Sequence, residues 1–224
     1  MILNFDCEKS IYASDELERR VVLQKSLKKK PYKPALFLDR DGVIIKDLHF
    51  VSNPKDVYLC KGIKSLLNLA HNQDWDVVVI TNQSGISRKR LTWMDFDLVN
   101  QRMLNLIGSK NLISAIYANG HLESFSEDNW RKPNPGMITC SAKELNIDLN
   151  KSILVGDRLT DLVAGARAGI MNLVHVLTGH GKKERELISQ NINKAGKFFQ
   201  NGKEHNIELI DDLNSFPLIF DNKR

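Results

Sequence analysis

The sequence predicts an α/β domain in which helices cover both faces of a doubly wound parallel sheet. Apolar runs of four or five residues alternate with longer segments whose apolar side chains recur at helical spacing. Strands that alternate with helices in this way are typical of parallel sheets. Polar residues and glycine follow several of the runs directly. Because ligands bind at the carboxyl ends of strands in such sheets, these residues are candidates for a functional site.

The individual elements follow from the same pattern. Five strands are predicted, at 35–39, 76–80, 115–118, 152–155 and 173–177. Four helices are predicted, near 61–72, near 92–107, from Pro135 onward and over 159–168. Proline is favoured in the first turn of a helix, which supports the start at Pro135. Beyond residue 182 we expect further helical stretches and a short apolar segment at 207–210.

The first 34 residues are expected to be an extension. Apolar spacing over 14–30 predicts a helix there, ended by the prolines that follow. The predicted organisation is therefore an extension at 1–34, an α/β domain at 35–181, and an extension at 182–224 that packs on the domain.

Composition limits the classes of partner. The chain has 224 residues, 42% of them hydrophobic, which suffices for one domain with a sizeable core. A net charge of +5 fits attraction to phosphorylated or nucleic-acid partners without choosing between them. The three cysteines are far apart, so a disulfide framework is not expected and a reducing compartment is. With no secretory signal and no apolar run near the ~20 residues that span a bilayer, we expect a cytoplasmic protein without a membrane partner.

The most informative segment is Asp39-Arg40-Asp41-Gly42, at the end of the predicted strand at 35–39. Two carboxylates spaced i, i+2 at a strand end can divide one reaction, one as the nucleophile and the other as the proton carrier. Turns are also rich in Asp and Gly, so this segment alone decides nothing.

Three later segments add to it. They are Thr81-Asn82-Gln83-Ser84-Gly85 after the second strand, Arg131-Lys132-Pro133-Asn134-Pro135 before a helix, and Gly156-Asp157 with Asp161 one turn on. The first could donate hydrogen bonds to an anion, and prolines would hold Lys132 in place. Clustered carboxylates repel one another, and Mg²⁺, which prefers oxygen ligands and phosphate, relieves that repulsion. The combination indicates phosphoryl transfer. Singly, Thr81 and Asn82 could cap a helix, Lys132 could be solvated, and Asp161 could be a first-turn acid.

In this order the four motifs closely resemble the haloacid dehalogenase superfamily of phosphohydrolases. The variants present here are similar to the branch of D,D-heptose 1,7-bisphosphate and histidinol phosphatases, and the resemblance covers about 35–181. It implies a Rossmann-like domain and hydrolysis of a phosphomonoester, with D-glycero-D-manno-heptose 1,7-bisphosphate cleaved at C7 as the expected reaction. No long insertion follows Asp41 or separates the second and third motifs, so no large cap domain is expected.

The resemblance also implies roles for individual residues. Asp39 would form an aspartyl-phosphate, and Asp41 would protonate the leaving oxygen and then activate water. Mg²⁺ would be held by the Asp39 carboxylate, the Asp41 backbone carbonyl and Asp157, with Asp161 orienting the surroundings of the ion. Thr81 and Lys132 would bind the transferred phosphoryl group. The expected substrate contacts are Asp47, Asn82, Gln83, Ser84 and Arg131, with Arg131 suited to a second phosphate.

One departure from the branch concerns zinc. Relatives usually carry three cysteines and a histidine in a loop before the Arg-Lys-Pro segment, whereas the stretch 117–131 here contains His121 and no cysteine. One histidine cannot make a four-ligand zinc site, so no zinc is predicted. Packing of Leu122, Phe125 and Trp130 is expected to hold the loop instead.

Several alternatives remain at this point. Histidinol phosphate, a polynucleotide 3′-phosphate and a non-enzymatic scaffold on the same fold are the rival functions. The sequence lacks an aromatic and basic stripe for nucleic acid, and a scaffold has no need of clustered acids. A small phosphorylated sugar is therefore the expected substrate. The protein is expected to be a monomer. His175 is expected to be a core or rim side chain and not a ligand. The Gly179-His180-Gly181 turn could lie at the edge of the site, although nothing demands it. The basic run at 88–90 could meet an anionic substrate or face water, and solvent is favoured.

Overall fold

The computed structural model describes residues 11–14, 19–23, 31–108, 112–122 and 130–216, and the described residues form one nine-stranded sheet with five α-helices. The strands are β1 (Ile11–Ser14), β2 (Arg19–Leu23), β3 (Ala35–Leu38), β4 (Asp76–Asn82), β5 (Ala115–Asn119), β6 (Ile153–Gly156), β7 (Asn172–Val176), β8 (Lys197–Gln200) and β9 (Lys203–Ile210). The helices are α1 (Ile63–Asn72), α2 (Trp93–Ile107), α3 (Gly136–Leu145), α4 (Leu159–Ala168) and α5 (Gly181–Ser189).

The sheet is parallel at its centre and antiparallel at both edges. Its strand order is β1-β2-β5-β4-β3-β6-β7-β9-β8. The six strands from β5 to β9 in this order pair in parallel, whereas β1, β2 and β8 pair antiparallel. The predicted fold class, a doubly wound α/β sheet, is confirmed, and each of the five predicted strands is present.

The path of the chain creates a crevice beside β3. From β3 the chain moves outward through β4 to β5, then returns to β6 on the opposite side of β3 and moves outward again through β7. In doubly wound sheets the crevice at such a reversal, outside the carboxyl ends of the strands, is where ligands bind. The carboxyl ends of β3, β4 and β6 meet here, which places three of the sequence motifs side by side.

The core lies on both faces of the sheet because successive side chains of a strand point to opposite faces. Leu36 and Leu38 belong to the apolar cluster that α1 and α2 cover, while Phe37 belongs to the cluster that α3 and α4 cover. All three side chains are fully buried. Burial on both faces explains why the central strands read as continuous apolar runs in the sequence.

The helix predicted over 14–30 is wrong where the structure describes this segment. Arg19–Leu23 is a strand that pairs antiparallel with β5, and Ile11–Ser14 pairs with it in turn. The physical reason is the open edge of β5, which offers unpaired backbone groups to any extended segment. Val21 and Val22 suit an extended chain, and Val22 is buried in the core. The remainder of the predicted helix, at 15–18 and 24–30, lies outside the described residues.

The C-terminal segment adds α5 and a β8–β9 hairpin to the other side of the sheet. β9 pairs in parallel with β7, and it contains the apolar segment 207–210 that the sequence singles out. Ile188 and Phe198 are completely buried against α4 and the sheet. Both terminal segments therefore contribute strands to one sheet, while the predicted divisions at 34/35 and 181/182 stay predictions.

Two further features of the described residues bear on function. The segment between β3 and α1 contains a loop and a single turn of 3₁₀ helix at Pro54–Asp56, with no additional domain inserted among the residues described. No helix in the described part of the chain has the length and apolar character needed to cross a membrane.

A pair of adjacent phenylalanines tests whether the C-terminal hairpin is part of the core. Phe198 is completely buried, whereas the side chain of Phe199 is 51% exposed. We expect Phe198→Ala to lower the free energy of unfolding by about 3–5 kcal/mol, because it leaves a cavity between β8 and α4. Phe199→Ala is the control and should change that free energy by about 0.5 kcal/mol or less. Urea unfolding measures both, and equal values would show that the hairpin does not pack as described.

Candidate active site

The predicted site residues converge on the crevice beside β3. Asp39 follows β3 directly, Thr81 lies near the end of β4, and Asp157 follows β6. Lys132 reaches the same place from the loop before α3, and Asp161 from the first turn of α4. The adjacency of β4, β3 and β6 in the sheet brings together residues that are more than a hundred positions apart.

Three carboxylates form a buried acidic cluster, which consists of Asp39, Asp157 and Asp161. One oxygen from each lies within 4.8 Å of the others. The three residues are 7%, 0% and 1% exposed. Close negative charges with little water around them destabilise one another, so this arrangement needs cations to stabilise it.

Lys132 supplies part of that positive charge. Its ammonium nitrogen lies 2.9 Å from Asp39 Oδ1 and 2.7 Å from Asp161 Oδ1, and it donates a 3.0 Å hydrogen bond to the Ile80 carbonyl. Burial alone would lower the pKa of Lys132, but the Asp161 and Asp39 carboxylates outweigh it and raise the pKa above its usual range. The lysine is therefore charged at any physiological pH.

Asn82 fixes the backbone of Lys132. The Asn82 side-chain amide donates to the Lys132 carbonyl at 3.1 Å, and its oxygen accepts from the Lys132 amide at 3.1 Å. The Lys132–Pro133 peptide bond is cis. Both ends of the Asn82 amide are therefore engaged with the backbone of Lys132, a structural role that the sequence did not indicate. Its predicted contact with substrate would compete with these two hydrogen bonds.

One lysine does not balance three acids. Burial and the neighbouring acids raise the pKa of Asp39 to about 7, although the charge of Lys132 acts in the opposite direction. Burial and the charges of Asp161 and Asp39 raise the pKa of Asp157 to about 9. Asp157 Oδ1 is buried and accepts no hydrogen bond from any described residue. An unpartnered carboxylate oxygen among hard oxygen donors fits a small divalent cation such as Mg²⁺, so the donor set is suitable for the predicted ion.

Two glycines allow the backbone to approach Asp157. Gly42 and Gly179 have φ angles of +93° and +56°, and a Cβ at either position would overlap Asp157 Oδ2. The same oxygen accepts a 2.7 Å hydrogen bond from the His180 amide. The turn after Asp41 and the turn after β7 thus enclose the carboxylate from two sides, which only glycine permits.

His175 connects the C-terminal segment with Asp157. Arg185 Nε donates to His175 Nδ1 at 2.9 Å, so the ring proton must lie on Nε2, which donates to the Asp157 carbonyl at 3.1 Å. Burial lowers the pKa of His175 to about 4, which keeps the ring neutral. Arg185 also donates to the Ile210 carbonyl at 2.7 Å. The expectation that His175 is a core side chain agrees with this burial, but its link to Asp157 was not anticipated.

Asp41 has a separate set of partners. Arg40 and Gln83 both donate hydrogen bonds to its carboxylate, and the Thr81 hydroxyl lies 3.5 Å from Asp41 Oδ2. The predicted proton carrier therefore lies beside the residue predicted to bind the phosphoryl group. Its backbone carbonyl as a metal ligand stays a prediction.

The cavity above these residues has a volume of about 380 Å³, large enough for a small phosphorylated metabolite. Its lining includes acidic residues as well as Arg88 and Arg158. Four of the predicted substrate contacts line it, namely Asp47, Asn82, Gln83 and Ser84. Arg131 is half-buried beside this wall and donates to the His121 carbonyl at 3.2 Å. Burial, with the Arg88 and Arg158 charges nearby, lowers the pKa of Arg131.

His180, for which the sequence demanded no role, is part of the lining of this cavity. Its Nε2 lies 3.0 Å from Asp47 Oδ2, so the pair joins the loop after β3 to the turn after β7 across the cavity wall. The signal was the Gly179-His180-Gly181 turn directly after the last core strand. Its position at a strand end was as informative as that of the acidic motifs.

The loop predicted to lack zinc is described only in part. Trp130 packs on Tyr117 with ring centroids 5.6 Å apart, and the Arg19 guanidinium lies 5.2 Å from the Trp130 ring. Phe125 lies outside the described residues. The absence of zinc and the packing proposed in its place remain predictions.

Comparison with known proteins identifies the family. A family model described as HAD-hydrolase-like matches residues 129–196. A D-glycero-beta-D-manno-heptose-1,7-bisphosphate 7-phosphatase of Mesorhizobium japonicum is 39% identical over 147 residues, which are 62% of this chain and 68% of the relative. A D-glycero-alpha-D-manno-heptose-1,7-bisphosphate 7-phosphatase of Photorhabdus laumondii is 35% identical over 178 residues, which are 73% of this chain and 95% of the relative.

Solved structures agree with these relatives. A HAD-like phosphatase from Mesorhizobium loti superposes with a TM-score of 0.74 at 30% identity, covering 91% of this chain and 92% of that one. The D,D-heptose 1,7-bisphosphate phosphatase from B. bronchiseptica, complexed with magnesium and phosphate, superposes with a TM-score of 0.68 at 27% identity, covering 84% and 97%. The predicted resemblance is thereby confirmed, and the chain belongs to the haloacid dehalogenase superfamily of phosphatases, in the branch that contains the heptose bisphosphate phosphatases.

Proposed function

We propose that the protein is a Mg²⁺-dependent phosphatase that removes the 7-phosphate of D-glycero-D-manno-heptose 1,7-bisphosphate. The observation that carries the proposal is the contact of Lys132 with both Asp39 and Asp161, beside the unpartnered oxygen of Asp157. This arrangement suits phosphoryl transfer, in which positioning and charge stabilisation supply most of the catalysis. The names of the Mesorhizobium and Photorhabdus relatives supply the substrate.

In the proposed mechanism, an Asp39 carboxylate oxygen attacks phosphorus while the bond to the leaving oxygen breaks. Asp41 gives its proton to that oxygen, so the sugar leaves as an alcohol. Water then attacks the phosphorus of the aspartyl-phosphate and passes a proton to Asp41. The bond between phosphorus and the Asp39 oxygen breaks, so phosphate is released and Asp39 is regenerated. Thr81 and Lys132 bind the phosphoryl oxygens in both steps.

The residues proposed to hold Mg²⁺ are Asp39, Asp157 and the Asp41 backbone carbonyl, with Asp161 orienting the cluster. When bound, the ion supplies positive charge that offsets the acids and the phosphoryl oxygens. Asp157 is well suited to this role because its Oδ2 is held by the His180 amide while its Oδ1 has no hydrogen-bond partner among the described residues.

The cavity wall supports a bisphosphate substrate. Arg88 and Arg158 line the cavity, and Arg131 lies close enough to both for their charges to lower its pKa. A substrate with two phosphates can place one at Asp39 and the other near guanidinium groups, which bind phosphate with two hydrogen bonds each. Asp47, Asn82, Gln83 and Ser84 are proposed to contact the sugar between them.

We also propose that the enzyme acts in the cytoplasm as a monomer on this small sugar phosphate, with neither nucleic acid nor a membrane as partner. All proposed site residues come from one chain, so a second copy is not needed to complete the site. The described cysteines, Cys60 and Cys140, are free thiols, which suits a reducing compartment.

Phosphate release from a panel of substrates tests the proposed activity. The panel contains the α and β anomers of the heptose bisphosphate, histidinol phosphate and a 3′-phosphorylated oligonucleotide, each with Mg²⁺ and with chelator. We expect the largest kcat/KM for one heptose anomer and no turnover with chelator. A preference for histidinol phosphate or the oligonucleotide would replace the proposed substrate, and no turnover of any phosphoester by folded protein would support a scaffold.

Replacement of the proposed nucleophile should abolish turnover. Asp39→Asn removes the attacking carboxylate, and we expect kcat to fall by roughly 10⁴-fold or more. Asp56→Asn is the matched control, since Asp56 is exposed on the 3₁₀ turn and should leave kcat unchanged. Rapid-quench assays followed by mass spectrometry should find phosphate on Asp39 in the unmodified enzyme. Substantial turnover by Asp39→Asn would exclude the covalent mechanism.

The raised pKa values predict how stability depends on pH. Because the folded-state pKa values of Asp39 and Asp157 lie near 7 and 9, the folded protein binds more protons than the unfolded chain from about pH 4 to pH 9. Each acid therefore lowers stability as the pH rises through this window. In chelator, Asp157→Asn should gain in melting temperature relative to the unmodified protein between pH 5 and pH 9.

Mg²⁺ should reverse that difference. Binding to the folded state raises the melting temperature of the unmodified protein, whereas Asp157→Asn should respond little, because it lacks a ligand. Scanning fluorimetry across pH, with Mg²⁺ and with chelator, measures both effects. A variant that is less stable at every pH in chelator, or one that Mg²⁺ stabilises as much as the unmodified protein, would contradict this account of Asp157.

A further inference from the structure

Arg40 is a buried arginine between the two predicted catalytic aspartates. Its side chain is 1% exposed, which places it among the largest fully buried side chains of the described residues. Burying a guanidinium is costly unless its charge is paired and its donors are satisfied. The contacts of the Arg40 guanidinium offset this cost, and they indicate the role of the side chain.

The principal contact is a two-point interaction with Asp41. Arg40 Nε donates to Asp41 Oδ2 at 3.1 Å, and Arg40 Nη2 donates to Asp41 Oδ1 at 3.1 Å. Two parallel hydrogen bonds from a planar group fix both the position and the plane of a carboxylate. A single-point contact would leave the carboxylate free to rotate.

Helix α2 holds the guanidinium from behind. Arg40 Nη1 donates to Asn100 Oδ1 at 3.3 Å, and the guanidinium carbon lies 5.1 Å from the centre of the Phe96 ring. Asn100 is 2% exposed and Phe96 is fully buried. The orientation of Arg40 is therefore set by the core of the protein and not by solvent.

Gln83 completes the network. Its Oε1 accepts from Arg40 Nη2 at 3.1 Å, while its Nε2 donates to Asp41 Oδ2 at 2.8 Å and to Thr81 Oγ1 at 2.8 Å. Gln83 is 5% exposed and lines the cavity, and its amide also holds Asp41. Arg40 and Gln83 thus hold the carboxylate of Asp41 from two directions.

We propose that Arg40 is a positioning residue that aims the Asp41 carboxylate for proton transfer, with Asn100 and Gln83 supporting it. The inference rests on the proposed function, in which Asp41 gives a proton to the leaving oxygen and later takes one from water. The guanidinium also lies next to the negative charge that Asp41 acquires when it gives up its proton. Lysine could supply the charge but not the planar fork, so the two residues are not equivalent here.

The leaving group distinguishes this role from a purely structural one. An alkyl phosphate needs a proton on its leaving oxygen, whereas para-nitrophenyl phosphate leaves as a stable anion and needs none. The parameter to compare is kcat/KM, which covers the steps up to departure of the leaving group and excludes the later hydrolysis of the aspartyl-phosphate, in which Asp41 acts for both substrates. We expect Arg40→Lys to lower kcat/KM for heptose bisphosphate by about 10- to 100-fold, which is part of the contribution of a general acid. Its kcat/KM for para-nitrophenyl phosphate should fall by less than about 3-fold. A loss of structure would slow both substrates alike.

Asn100→Leu is a second variant that lies further from the substrate. It removes the support of Arg40 from α2, and we expect the same selective effect at about 3- to 10-fold. Asn105→Leu is its matched control, because Asn105 is exposed on the same helix. Asn100→Leu keeps the test valid if Arg40→Lys fails to fold, which circular dichroism and thermal unfolding would reveal.

A double-mutant cycle completes the experiment. In an Asp41→Asn background, Arg40→Lys should not change the ratio of the two kcat/KM values any further, because both changes remove the same proton transfer to the leaving oxygen. Equal losses on both substrates, or additive effects in the cycle, would overturn the proposal.

If the unmodified enzyme hydrolyses para-nitrophenyl phosphate and another alkyl phosphate but not heptose bisphosphate, the proposed substrate fails while the role of Arg40 is tested on that alkyl phosphate. If it hydrolyses no phosphoester, both proposals fail.

Discussion

The contact of Lys132 with Asp39 and Asp161 is the interaction on which the site depends. The two carboxylates and Asp157 lie almost out of reach of water, where like charges repel strongly. Lys132 joins the end of β3 to the start of α4, the two segments that flank the reversal of the sheet. Removing one partner of such a buried pair leaves an uncompensated charge, so the geometry and the electrostatics of the site cannot be separated.

Each of the two aspartates after β3 has its own cation. Lys132 contacts Asp39, whereas Arg40 contacts Asp41, although the two acids are only two positions apart. The carboxylates of Asp39 and Asp41 therefore do not compete for the same cation, and their surroundings differ. Such a difference in surroundings is how two carboxylates in one site come to have different chemical roles.

The sequence predicted the site residues that lie at or near the ends of strands. It did not predict structure that depends on pairing with a strand far away in the sequence. Asp39, Lys132 and Asp157 could be placed together because parallel strands bring their carboxyl ends to one edge. Strand β2 could not be found, since Arg19–Leu23 is extended only by virtue of β5, about a hundred residues away. The fork between Arg40 and Asp41 was also hidden, because adjacent residues face each other only in the particular turn that follows β3.

The link from Arg185 through His175 to Asp157 connects the C-terminal segment with the acidic cluster. A chain shortened after residue 181 would retain every acid of the cluster, yet its imidazole could carry the proton on either nitrogen. With the proton on Nδ1, the Asp157 carbonyl would lose its donor, and the backbone at Asp157 would lose that restraint. The segment after residue 181 therefore helps to hold the acidic cluster, and a variant trimmed to the core of the sheet would hold Asp157 less firmly.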